Sequence, residues 1–183
     1  MGATHMKILN FNKHTLNKSY LTISILGNIF KLNIKYVSSS KVELVKNKDD
    51  INLFLPKAYK NMDNMDIVNL ALEKLYTEIA LNEIENIMET ARHSLNFAPN
   101  DYKIQTLPST FYKCSRNKVL TISPDIFQYN KEIINTTIIK AFCKIQYKEN
   151  SKAYNKALEN GLTNYENLKC IYSNQDKKTI RVS

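Results

Sequence analysis

Glycine and proline are scarce in this chain and tryptophan is missing: three Gly, four Pro and no Trp in 183 residues. Neither G-x-G-x-x-G nor G-x-x-x-x-G-K-[ST] can be written from so few glycines, which excludes nucleotide binding by either phosphate-cradling loop. The three cysteines, Cys114, Cys143 and Cys170, are odd in number and widely spaced. They make no disulfide framework and fit a reducing, cytoplasmic setting. Histidine is equally sparse. His5, His14 and His93 form no C-x-x-C, H-x-x-x-H or C-x-x-H spacing with each other or with the cysteines, so no metal and no cofactor is expected from them. No apolar run reaches membrane-spanning length and no basic-then-apolar leader opens the chain, so no membrane partner is expected. The opening six residues, MGATHM, read as a cloning remnant over 1–5 followed by a natural start at Met6, because His5 and Met6 are what an NdeI junction encodes.

Positive charge is the feature in excess. Apolar residues make up 43% and charged residues 23%, enough to bury a core, and the net charge is +9. Residues 1–100 carry 12 basic and 10 acidic side chains, whereas residues 101–183 carry 14 basic and 7 acidic ones. A basic C-terminal half suggests an anionic partner: nucleic acid, phosphate or an acidic protein segment. The competing reading is codon bias, since Lys and Asn occur 23 times each.

Strand-like alternation marks residues 20–26 (YLTISIL) and 29–37 (IFKLNIKYV), with a turn at Gly27 and Asn28, so a hairpin is predicted. Two more strands at 41–45 and 51–55, joined by a polar turn at 47–50, extend it to an antiparallel meander. Helical spacing then runs from 65 to 95, with Val68, Leu72, Leu75, Ile79, Ile84, Ile87 and Met88 on one face. Asn96 to Asp101, with Pro99 inside, breaks it. Short strands at 102–107, 111–114 and 118–122 precede a helix over 131–148, a break at 149–151 and a shorter helix to Gly161. A last helix is expected at 164–171 and a polar tail at 173–183. The order gives one α+β domain over 6–172.

The glutamates of the long helix, Glu73, Glu78, Glu83, Glu85 and Glu89, read as a solvated face rather than as catalytic carboxylates. Cys114 and Cys143 have no local base and read as small buried hydrophobes. Lysines at 140, 144, 148, 152 and 156 recur in steps of four, which keeps neighbours on one side of a helix with a drift of about 40° per step. The break near Asn150 leaves only the first three safely on one helix. Such like charges repel, and a phosphate-rich partner would offset that cost; a merely solvated face is the other reading.

The order of elements and several local strings resemble the YgjP-type metal-dependent hydrolases, relatives of the WLM and SprT-like zinc peptidases. Residues 109–115 read S-T-F-Y-K-C-S where that family has S-R-W-G-S-C-S, keeping Ser109, Cys114 and Ser115 with Phe111 at the Trp position. Residues 118–124 (KVLTISP), 41–45 (KVELV) and 51–56 (INLFLP) resemble its strands. Residues 134–144 (INTTIIKAFCK) lie where the zinc helix H-E-x-x-H should be, and 147–154 (YKENSKAY) match the stretch holding the third ligand in N-H-S. The similarity runs from about Gly27 to Ile171.

The resemblance implies the family's fold but not its chemistry. It sets Lys140 and Lys144 in place of the two zinc-helix histidines, Ala141 in place of the glutamate and Asn150 in place of the third His. Two ammonium groups repel a cation, and Ala141 cannot activate a water. The expectation is a catalytically inactive relative, acting as a binding module through a basic former active-site cleft. Its residues would be Lys140, Ala141, Lys144 and Asn150, with Lys113 and Arg116 at the rim and Tyr112, Tyr147 and Tyr154 as stacking faces or packing. The alternative is a hydrolase, peptidase or phosphohydrolase, with a rearranged site.

Overall fold

A computed structural model describes residues 21–162. The expected helix at 164–171, the tail, Cys170, His14 and the first five residues lie outside the described part.

The first two strands, β1 (Leu21–Ile25) and β2 (Asn28–Val37), pair antiparallel with Ile23 opposite Phe30 and Ile25 opposite Asn28. The turn is Leu26 and Gly27 rather than Gly27 and Asn28, and both residues have positive φ, 50° and 82°. That is the conformation a two-residue hairpin loop needs to match strand twist.

The expected meander is replaced by a different strand order. Strand β4 (Asp50–Pro56) lies between β2 and β3 (Glu43–Lys46), parallel to the former and antiparallel to the latter, giving the order β1-β2-β4-β3. The physical reason is burial. Ile51, Leu53 and Leu55 of β4 are fully buried, and Asn52 on its other face is buried too. Such a strand wants neighbours on both sides, whereas β3, with Glu43, Val45 and Lys46 exposed, suits an edge.

Helix α1 (Met65–Leu95) has the predicted bounds and packs Val68, Leu72, Tyr76, Ala80, Ile84, Met88, Ala91 and Leu95 into the core. Leu75, Ile79 and Ile87 flank that stripe, half-buried. The helix ends where Asn96 turns left-handed (φ 58°) and its N–H bonds the Arg92 carbonyl, a helix-stop geometry that Asn tolerates better than most residues. Two α1 glutamates reach the segment that follows: Glu85 accepts from the Tyr102 hydroxyl and Glu73 from the Thr106 hydroxyl. Glu83 pairs with Lys131 at 3.7 Å.

The second sheet holds β5 (Asp101–Ile104), β6 (Tyr112–Cys114) and β7 (Val119–Ile122) in the order β5-β7-β6, with β7 parallel to β5 and antiparallel to β6. A 3₁₀ segment (Pro124–Gln128) follows. The first hairpin docks on it: the Leu26 N–H bonds the Phe127 carbonyl at 2.8 Å, and the Ser24 hydroxyl bonds the Gln128 carbonyl at 2.6 Å. Helices α2 (Lys131–Gln146) and α3 (Lys152–Gly161) close the described chain. One apolar cluster runs through both sheets and all three helices. The molecule is therefore α+β, as expected.

Candidate functional site

Helix α2 starts at a cap: the Asn130 side chain accepts from the Ile133 N–H at 2.9 Å, satisfying one of the free donors of the first turn. Ile134, Ile138, Ala141, Phe142 and Cys143 are buried, and this fixes the rotation of the helix. Lys140 is then half-buried and Lys144 exposed, one turn apart. The helix ends at Gln146, two residues short of expectation, because Tyr147 is extended (φ −126°, ψ 151°). Lys148 consequently lies in the link to α3, and Lys152 and Lys156 belong to a different helix. The row of five lysines is thus split.

Strand β6 supplies the floor. The Lys144 ammonium sits 5.8 Å from the centre of the Tyr112 ring, and the Cys114 thiol donates to the Ala141 carbonyl at 3.5 Å. Tyr112 and Cys114 therefore face α2. Lys113, between them, leaves through the opposite face of the strand, as strand alternation demands. It stands away from Lys144 rather than at the rim beside it. Arg116 is exposed on the β6–β7 turn, which Ser115 shapes by accepting from the Val119 N–H at 3.0 Å. The same turn is tied to the end of α2 by Lys118, whose ammonium donates to Gln146 Oε1 at 3.0 Å.

The α2–α3 link completes the arrangement. Asn150 is exposed and left-handed (φ 61°), and Ser151 caps α3 by accepting from the Tyr154 N–H at 3.1 Å. Glu149, just before it, reaches back so that Oε2 lies 2.9 Å from Lys144 Nζ. The sequence reading missed Glu149. Its only signal was an acidic residue beside the position of the third ligand, five residues after a lysine and across a helix break.

Tyr112 and Tyr154 are buried and offer no open stacking face, and the half-buried Tyr147 makes a T-shaped contact with Phe97, ring centres 5.8 Å apart. Phe111, at the family's Trp position, is likewise buried and edge-on to Tyr129.

A family model for the YgjP-like metallopeptidase domain matches residues 4–171. The chain belongs to the YgjP-like family. No curated protein and no solved structure matches it. The family implies a metal, and the residues that the resemblance sets at its positions do not fit one. Lys140 and Lys144 bring positive charge, Ala141 is fully buried and has no donor, and the Lys144 ammonium is already held by Glu149. Among the described residues no three His, Cys, Asp or Glu side chains gather where an ion could be held. Among the described residues, neither Cys114 nor Cys143 is an activated thiol. Burial pushes the Cys143 thiol up to about 12 and raises that of Cys114, an effect that Lys144 only partly opposes.

Proposed function

We propose that this YgjP-like chain is a catalytically inactive relative of the metallohydrolases, and that it serves as a binding module for an anionic partner. The partner is phosphate, nucleic acid or an acidic protein segment. It docks on the α2 face that carries Lys140 and Lys144, beside Asn150 and the turn bearing Arg116. The reading rests on one observation: the positions that the resemblance assigns to metal ligands and base hold two lysines one turn apart and a buried alanine. Positive side chains at that spacing suit an anion and oppose a cation.

The test is isothermal titration of wild type and of Lys140→Gln with Lys144→Gln against three probes: sodium tripolyphosphate, a short DNA duplex and polyglutamate. Wild type should bind at least one probe at low salt. The double variant should lose about tenfold or more in affinity, and melting curves should show that it remains folded. Equal binding by both proteins would overturn the proposal.

A further inference from the structure

The α2 face already contains an anion of its own. Glu149 Oε2 lies 2.9 Å from Lys144 Nζ, and both side chains remain well exposed, 38% and 42%. The ammonium is bounded by the Tyr112 ring on one side and the Glu149 carboxylate on another. Its remaining N–H donors are available to solvent.

We infer that Glu149 is a built-in competitor for this site, so that a phosphate group binds Lys144 by displacing the Glu149 carboxylate. The inference rests on the anion-binding reading above and narrows its partner to a phosphate-bearing one. An incoming carboxylate would exchange like for like with a tethered one and gain little. A terminal phosphate group carries up to two charges and three acceptor oxygens, and the repeated phosphodiesters of a nucleic acid, with one charge each, engage several cations at once, so either outcompetes a single carboxylate.

The geometry makes Glu149 displaceable. An exposed ion pair of this kind is held weakly. The link does not need the pair to keep its shape: the Ser151 N–H bonds the Lys148 carbonyl at 3.1 Å, the Ser151 hydroxyl caps α3, and Asn150 supplies the left-handed residue. A rotation of the Glu149 side chain therefore uncovers Lys144 while the backbone stays in place. The same link carries Lys148, and the adjacent turn carries Arg116, both exposed and able to meet further phosphate oxygens.

The experiment is titration of sodium tripolyphosphate, and separately of a short DNA duplex, into wild type, Glu149→Gln, Glu149→Ala, and Glu149→Gln combined with Lys144→Gln. Both Glu149 variants should bind about fivefold more tightly than wild type, the scale of one exposed ion pair, and the added Lys144→Gln should cancel the gain. A gain with tripolyphosphate alone points to a terminal phosphate group as what displaces Glu149, and a gain with the duplex as well shows that backbone phosphodiesters displace it too. Wild-type binding that is unchanged in both Glu149 variants would overturn the displacement and leave the anion-binding reading intact. Absence of binding by every protein would overturn both. Melting curves of the four proteins establish that each is folded.

Discussion

The Cys114 thiol donates to the main-chain carbonyl of Ala141 at 3.5 Å, which fastens β6 to α2 at the residue that the resemblance sets in place of the family's glutamate. Ala141 itself is fully buried. In an active metallohydrolase that position would need a carboxylate with room for a water. Here Ala141 is a packing position, and the Lys144–Glu149 pair nearby is exposed.

Restoring the glutamate should therefore be costly. Ala141→Glu forces a longer, ionisable side chain into a fully buried position, and should lower the unfolding free energy by about 3 kcal/mol through overpacking and burial of a polar group. Urea denaturation of the variant measures it. Wild-type stability in Ala141→Glu would mean that the site opens to solvent, and the case for a closed, inactive centre would fall.

The metal prediction follows from the same residues. Elemental mass spectrometry of protein purified without chelators should find far less than stoichiometric zinc, and EDTA should leave the melting temperature unchanged. Stoichiometric zinc, with a melting temperature lowered by EDTA, would reinstate the hydrolase reading with ligands other than those named above.

The hairpin tip is a separate stability element. A methyl group at Gly27 would come within 2.7 Å of the Asn130 Cβ and 2.9 Å of its Cα, and φ is +82° there. Neither the backbone of Asn130 nor the turn can yield without loosening the α2 cap. Gly27→Ala should cost about 2 kcal/mol or more. An equilibrium unfolding curve that overlays wild type would show that the hairpin is not seated against the start of α2.

Local periodicity carried most of the fold. The apolar spacing from Val68 to Leu95 specifies α1 because each buried position is one turn from the next, a property of the chain alone. The order of β2, β4 and β3 was not available in that way. Turns show only which strands follow one another, whereas the place of β4 depends on its two buried faces finding partners. The site shows the same division. Lys140 and Lys144 could be placed together from helical spacing, and the resemblance pointed at Asn150. The inward turn of Tyr112 and Cys114, which sends Lys113 the other way, follows from alternation once α2 is known to cover β6. The Glu149 contact spans a helix end, where no fixed spacing rule applies.

A pH-sensitive cluster lies at the far end of α1. Glu89 accepts two hydrogen bonds from the Arg92 guanidinium, at 2.6 and 2.8 Å, and lies 2.9 Å from His93 Nε2. The Arg92 hydrogen bond, aided by the two positive charges, holds its carboxyl down at about 2, against an ordinary value of 4.5. A depressed acid stabilises the folded state fully above its unfolded value, and that contribution disappears as pH falls through the folded one. The melting temperature of wild type relative to Glu89→Gln should thus stand at its full value near pH 5 and should then shrink steadily down to about 2. The cluster is exposed, so the difference should be small and should diminish further in molar salt. A difference that is flat across the acid range would show that the Arg92 contact does not persist in solution, and Glu89 would then titrate as an ordinary surface carboxylate.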